Sequence, residues 1–367
     1  MHFGEPLDDE RFMALIAPDD QIRTVMTADV YGTGEADRML GRAIEGRRRG
    51  GMCVVGAVGH DFYTGERDGA KGFPRFTDPR LRGPDEYADY IRTATERSLR
   101  RCGVERFDLL LLHNPDRIGY SSPAVWEGMQ AVREAGLADL LGVAPGPANG
   151  FTLDLIDCME RFAEQIDWAM IILNPLEPWP GELVLDAALT HGVSLITRVV
   201  DYGGVFHDDV LPGHAFAEHD HRKFRPEGWV AEGRRKLELM RPIADRRGLS
   251  MLQLACAWNL AQPAVRCVAP TLIQESGSRA RTIEDKRAEL ASLAGADIAL
   301  SAEEIREIRE IGENVGCMAL KGASLEHDGP ARADRWGLDD ELAAVAGRWG
   351  IDPASDLLAA AAAGSRG

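Results

Sequence analysis

Residues 107–116 read Phe-Asp-Leu-Leu-Leu-Leu-His-Asn-Pro-Asp. Four consecutive leucines, closed by a polar cluster and a proline, predict a short strand covered on both faces and ending where side chains can meet a ligand. His113 stands at that end. Upstream, Tyr87, Ile91, Ala94, Ser98 and Cys102 recur at helical spacing and Gly103 follows them, so the local unit is helix, tight turn, buried strand. Such a unit belongs to an α/β fold.

The same alternation extends in both directions. A helix over 35–49 and a strand over 52–58 come before it, separated from it by residues 61–84, a Gly-, Pro-, Arg- and Asp-rich loop of the length that usually serves function. Strands over 138–144, 167–173, 193–200 and 265–269 follow, alternating with helices over 124–135, 151–163, 182–190, 231–247 and 250–261. With a strand at 22–28 and a first strand at the N-terminus, eight strands alternate with helices, which predicts a (β/α)8 TIM barrel binding its ligand at the C-terminal strand ends. A doubly wound sheet is the runner-up, but no Gly-x-Gly-x-x-Gly follows an early strand. Residues 1–312 are read as the barrel, and 313–367 as a C-terminal loop and helical extension packed on it, with helices at 339–349 and 353–362.

The net charge of -17 argues against nucleic acid or an anionic membrane as partner, and no apolar run is long enough to span a bilayer. Residues 1–6 carry no signal-like segment, and six scattered cysteines suit a reducing cytoplasm. His214, His219, Asp220 and His221 lack a spacing that would aim three ligands at one ion, so no metal is expected. The partner is a small-molecule metabolite; nothing in the chain sets an oligomeric state.

Two motifs then narrow the reading. Thr27-Ala28-Asp29-Val30-Tyr31-Gly32, with Gly34-Glu35, Leu40-Gly41 and Ala43, and His113 with Pro115-Asp116, resemble the tyrosine and histidine motifs of the aldo-keto reductase family. The resemblance covers roughly residues 1–312 and implies a (β/α)8 enzyme that passes a hydride between NAD(P)H and a carbonyl, using an Asp, a Tyr, a Lys and a His. It places the tyrosine at Tyr31 and the histidine at His113. The aspartate position, five residues before the tyrosine, is Met26, and the lysine position is Ala57. In such enzymes the lysine cation lowers the tyrosine pKa and the aspartate pairs with the lysine, so loss of both together leaves no uncompensated buried charge. The positions that would hold the nicotinamide carboxamide are Ala144, Pro145 and Met170, none of which supplies the hydrogen bonds. Arg279, Arg281 and Lys286 are the candidates for holding a cofactor phosphate.

These departures favour redox-neutral acid-base chemistry, a lyase or isomerase performing dehydration, elimination or isomerisation of a small oxygenated metabolite without a cofactor. Tyr31, His113 and Asp201 are the candidate catalytic groups, with His60, Asp61, Asn174, Arg198, Tyr202 and Lys321 lining the substrate site. Asp61 is a second candidate for taking a proton. Two alternatives stand beside this reading: an oxidoreductase using NADPH or NADH in a rebuilt site, and a catalytically silent binding protein.

Overall fold

The leucine run forms β3 (Phe107–His113), and its period of two divides the core. Leu109 and Leu111 point inward, where they meet Ala28, Val55, Ala57, Ala144, Met170 and Ile196 inside the curled sheet. Phe107, Leu110 and Leu112 point outward into the larger cluster beneath the helices. Leu110, Leu111 and Leu112 are fully buried, each worth about 2 kcal/mol of burial. The computed structural model describes residues 3–46, 51–69, 72–146, 150–277, 279–315 and 338–357.

Around β3 run β1 (Thr24–Met26), β2 (Cys53–Val58), β4 (Ala138–Ala144), β5 (Trp168–Ile172), β6 (Ser194–Arg198) and β7 (Val265–Ala269). They pair in chain order, all parallel. Between them pass α2 (Glu35–Ile44), α3 (Tyr87–Cys102), α5 (Pro123–Glu134), α6 (Thr152–Phe162), α7 (Leu185–Thr190), α8 (Trp229–Arg247) and α9 (Met251–Leu260), while α1 (Asp9–Ile16) comes before β1 and α4 (Arg117–Ser121) follows β3. Local chemistry explains several ends. Ser250 and Gln253 cap α9 reciprocally, and Gly103 closes α3 at a φ of 65°. The buried Asp37 of α2 accepts hydrogen bonds from Thr27 (2.7 Å), Ser98 (2.9 Å) and Arg101 (2.9 Å), tying α2 and α3 to the end of β1.

The architecture is a curled, all-parallel α/β sheet surrounded by helices, with extra C-terminal helices, but the strand count differs from expectation. Among the described residues seven strands form, and β1 and β7 do not pair with each other. Where the N-terminal strand was expected, residues 3–8 are irregular, and residues 1 and 2 lie outside the described residues. Gly4 takes a φ of 61° and donates its N–H to Asp220 (2.9 Å), and Glu5 donates to the Gln274 carbonyl (2.7 Å), which draws the segment over the chain beyond β7. Met26 is accordingly 41% exposed. Beyond the sheet lie α10 (Ile283–Ser292), α11 (Ala302–Ile311) and α12 (Asp340–Arg348); Arg117 bonds to Asp339 (3.0 Å) and Glu341 (3.3 Å), fastening α12 beside the barrel. Of the helix expected at 353–362, residues 353–357 form turns and the rest lies outside the described residues.

One close approach sets the ligand end of the sheet. A Cβ on Gly59, just past β2, would lie 2.2 Å from the His113 carbonyl oxygen. Gly59→Ala is expected to destabilise the protein by about 1–3 kcal/mol, because backbone cannot yield as a flexible side chain does. Urea denaturation checks this; an unchanged midpoint would contradict it.

Candidate active site

The chain leaving β1 turns sharply at Tyr31–Gly34, where Gly32 (φ 60°), Thr33 (φ 53°) and Gly34 (φ 93°) are left-handed. A Cβ on Gly34 would also meet Arg101 Nε at 2.7 Å, so glycine is needed there on both counts. The turn holds Tyr31 at the barrel mouth with 51% of its surface exposed. Its ring meets the ring of His113 edge-on at 5.5 Å, and His113 meets His60 edge-on at 5.4 Å. The turn thus brings Tyr31, His113 and His60 together.

His60 is held on both nitrogens: Nδ1–H donates to the Phe73 carbonyl (2.8 Å), and Nε2 accepts from the Asn114 side-chain amide (3.1 Å). That pattern suits the neutral ring. Burial and the charge of Arg75 push His60 down to about 4. Burial, then His60, Arg198 and Arg75, hold His113 well below the ordinary histidine value. His113 keeps a buried Nδ1 without a partner among the described residues. Arg75 is placed by its Nε bond to the Asn114 carbonyl (2.5 Å).

Arg198 ends β6, and its guanidinium reaches past β5 to the residues after β4. Nη2 donates to the carbonyls of Pro145 (3.0 Å) and Gly146. Those two residues follow Ala144, which lies opposite His113 in the sheet. Nε is sealed from solvent without an acceptor, and no carboxylate pairs with Arg198 among the described residues. Although the Tyr31 ring stands half exposed, the atoms crowded around it at the mouth desolvate the phenol and raise it above its ordinary value, and the charge of Arg198 opposes that rise.

The remaining candidates are placed differently. Asp201 is fully buried and accepts from the backbone amides of Gly204 (2.8 Å) and Thr271 (2.7 Å), so it clamps two loops and is not a free base. Asp61 is corrected likewise: it accepts from Tyr63 and Thr64 amides (2.9 Å each), from the Thr64 hydroxyl (2.6 Å) and from Arg82. Burial would raise its carboxyl, but the Arg82 and Thr64 bonds hold it below the ordinary value. Asn174 donates to the Val199 carbonyl (3.1 Å) and accepts from Leu176 N–H (2.9 Å), a bridge between loops. Tyr202 is buried edge-on to Trp229 at 5.6 Å with Arg225 over its ring. Lys321 lies outside the described residues.

Of the basic trio, Lys286 is buried between Asp209 (2.6 Å) and the Ile273 carbonyl (2.6 Å), so it is not available to a phosphate. Arg281 pairs with Glu289 (2.6 Å) and bonds to the His207 carbonyl (3.2 Å); Arg279 is exposed. Arg75 and Asn114 belong to the site but were missed. Asn114 stands next to His113 in the leucine stretch, so adjacency was a usable signal; Arg75 is one arginine among several in a long loop, and nothing local marks it.

The neutral histidines have a consequence for stability. Between pH 6.5 and about 4 the unfolded chain binds a proton that folded His60 refuses, so stability falls as pH drops through that window. The loss from this group between pH about 7.5 and about 5 is about 2 kcal/mol. His60→Gln is expected to lose less stability than wild type over that range; equal losses by urea denaturation would contradict the assignment.

Comparison with known proteins completes the picture. The family model "Aldo/keto reductase family" matches residues 6–313. A protein named "Probable voltage-gated potassium channel subunit beta" from Arabidopsis thaliana is 25% identical over 288 residues, covering 75% of this chain and 81% of the relative. A glycerol dehydrogenase from Gluconobacter oxydans superposes with a TM-score of 0.62 at 22% identity, over 83% of this chain and 84% of that one. An aldo/keto reductase from Klebsiella pneumoniae, solved in complex with NADP and acetate, gives 0.54 at 19% identity over 83% and 84%. At these identities the structural likeness shows the fold. The matches overturn two expectations, redox-neutral lyase or isomerase chemistry and the lack of a cofactor: the family is one of reductases, and a similar chain carries NADP. Over most of its length, residues 6–313, this chain belongs to the aldo/keto reductase family.

Proposed function

We propose that the protein is an NAD(P)(H)-dependent oxidoreductase of small carbonyl compounds, with Tyr31 as proton donor and acceptor, and with Met26 and Ala57 standing where the family's aspartate and lysine would be. The observation that carries this reading is the Tyr31–His113 ring contact at the ligand end of the sheet, with an unpaired guanidinium acting on both residues. Ala57 lies in the apolar interior cluster, so no cation rises from β2. Arg198 supplies one from β6 instead. Its charge favours the phenolate over the phenol and favours negative charge growing on a carbonyl oxygen beside Tyr31. His113, neutral, orients that oxygen by hydrogen bonding and carries no charge to compete with it.

The residues at the mouth fit a dinucleotide unevenly. Arg279 stands exposed on the segment after β7, free of any ion pair among the described residues and suited to a phosphate. At the other end the side chains of Ala144, Pro145 and Met170 are apolar and largely buried, so these positions offer a nicotinamide ring no side-chain amide. When bound, the dinucleotide supplies or takes the hydride. The chain's own residues place the carbonyl oxygen at Tyr31, move one proton there, and keep the surrounding imidazoles uncharged. The same reading makes residues 1–312 the catalytic barrel and 313–367 an extension, supported by the contacts of Arg117 with Asp339 and Glu341.

NADPH or NADH titrated into the protein by fluorescence is expected to bind, and the reduced cofactor is expected to be oxidised by small carbonyl compounds. Tyr31→Phe should lower kcat by about 10²–10⁴-fold and leave cofactor affinity unchanged. Turnover that survives in Tyr31→Phe would contradict the role of Tyr31; failure of both cofactors to bind would contradict the oxidoreductase reading.

A further inference from the structure

The Tyr31 turn needs support from outside itself. Gly32, Thr33 and Gly34 are left-handed in succession, a conformation that is costly for Thr33 and persists only where the surroundings over-determine it. Tyr31, Gly32 and Thr33 are exposed, and their backbone bonds stay within the turn: Tyr31 N–H donates to the Ala28 carbonyl (3.0 Å) and Thr33 N–H to the Val30 carbonyl (3.1 Å). The buried residues stand at its two ends, Asp29 and Gly34. Asp29 N–H donates to the Ala57 carbonyl (3.1 Å), which fixes the first end to β2.

One guanidinium reaches both ends. Arg101, in the last turn of α3, lies so close to Gly34 that a Cβ there would stand 2.7 Å from its Nε and 2.8 Å from its Cδ. Nε donates to the Asp37 carboxylate (2.9 Å) on the helix that follows the turn, and Nη2 donates to the Tyr63 hydroxyl (3.1 Å). That hydroxyl in turn donates to the Asp29 carboxyl (3.5 Å). Arg101, Tyr63 and Asp29 thus form a bracket around Tyr31, and Asp37 is its second arm. Tyr63 is itself held: its N–H donates to Asp61 (2.9 Å) and Arg97 lies over its ring at 4.6 Å. Burial, then the charge of Asp29, push the Tyr63 phenol up to about 12, so it keeps the proton that it donates. Burial and the charge of Asp37 hold the Asp29 carboxyl well above the ordinary carboxylate range, so the bracket does not bury a second negative charge beside Asp37.

We infer that Arg101 and Tyr63 are positioning residues for Tyr31: by bracketing the turn from Asp29 to Gly34 they keep the Tyr31 ring edge-on against His113. Their hydrogen bonds end on Asp37 and Asp29, so they act on the chemistry through the turn. The long loop after β2 thereby has a task, since it carries Tyr63, the middle member of the bracket. The effect on catalysis rests on the oxidoreductase reading above; the placement of the ring does not.

Tyr63→Phe removes one hydroxyl, and Arg101→Lys keeps a cation for Asp37 but has a single nitrogen, which cannot also serve Tyr63. The nuclear Overhauser effect between the Tyr31 and His113 ring protons, in the full chain labelled at tyrosine and histidine, reads the contact directly. Both variants are expected to weaken it by about twofold or more and to lower kcat for carbonyl reduction roughly 10- to 100-fold, with KM and NADPH affinity within about twofold of wild type. The double variant is expected to lose no more than the worse single variant, because both changes cut the same link. Urea denaturation establishes that each variant is folded under the assay conditions. An unchanged Overhauser effect in both folded variants, or losses that multiply in the double variant, would overturn the inference. A wild type that turns over no carbonyl compound would count against the oxidoreductase reading instead, and the Overhauser effect would still decide whether Arg101 and Tyr63 place the ring.

Discussion

Parallel pairing of β3 with its two neighbours is the constraint on which the site depends. The register places Val58 opposite Leu112 and Ala144 opposite His113, so the ends of three strands arrive at nearly one level. Burial of the leucines on both faces prevents a slip, because moving the strand by one residue would exchange its two apolar sets and turn His113 away from the mouth. Gly59 lets the first of these ends approach the second closely enough for His60 and His113 to touch. The Tyr31 turn is set from the other side by Asp37, which ties α2 and α3 to the end of β1.

The electrostatics follow from what this frame leaves unpaired. Most arginines of the chain meet carboxylates, as in the buried set of Arg222 with Asp220 (2.7 Å) and Glu275 (2.5 Å). Arg198 meets carbonyl dipoles, which orient it without cancelling its charge. The charge of Arg198 at the end of β6 opposes the rise of the Tyr31 phenol, while Ala57 of β2 lies in the apolar interior. Imidazoles crowded by burial and by like charge stay neutral, and the proposed function therefore assigns the proton transfer to Tyr31.

Much of the fold could be read from the sequence because apolar runs mark buried parallel strands. The segments 107–113, 138–144 and 265–269 form as read, and the others differ by a residue or two at their ends. The lack of an eighth strand among the described residues was not legible, since Gly4 and Glu5 are held by distant contacts with Asp220 and Gln274. Tyr31 and His113 were legible because motifs fix them. Asp61, Asp201 and Asn174 looked like pocket groups because residue type and strand-end position say nothing about which backbone amides a carboxylate will find. Lys286 looked solvated at a helix start and is instead sealed against Asp209. The redox-neutral chemistry expected from Met26, Ala57 and the apolar residues Ala144, Pro145 and Met170 is overturned by the family match, which the rest of the motif carries.

The claim at the centre of this account is that the charge of Arg198 acts on the Tyr31 phenol. The six tyrosines are few enough for their ring carbons to be resolved by NMR after specific labelling, so the Tyr31 titration can be followed directly in wild type and in Arg198→Met. The account predicts that removing the guanidinium raises the Tyr31 pKa by about 1 or more, with a return toward the wild-type value in Arg198→Lys. A Tyr31 titration that is the same in all three proteins would contradict it.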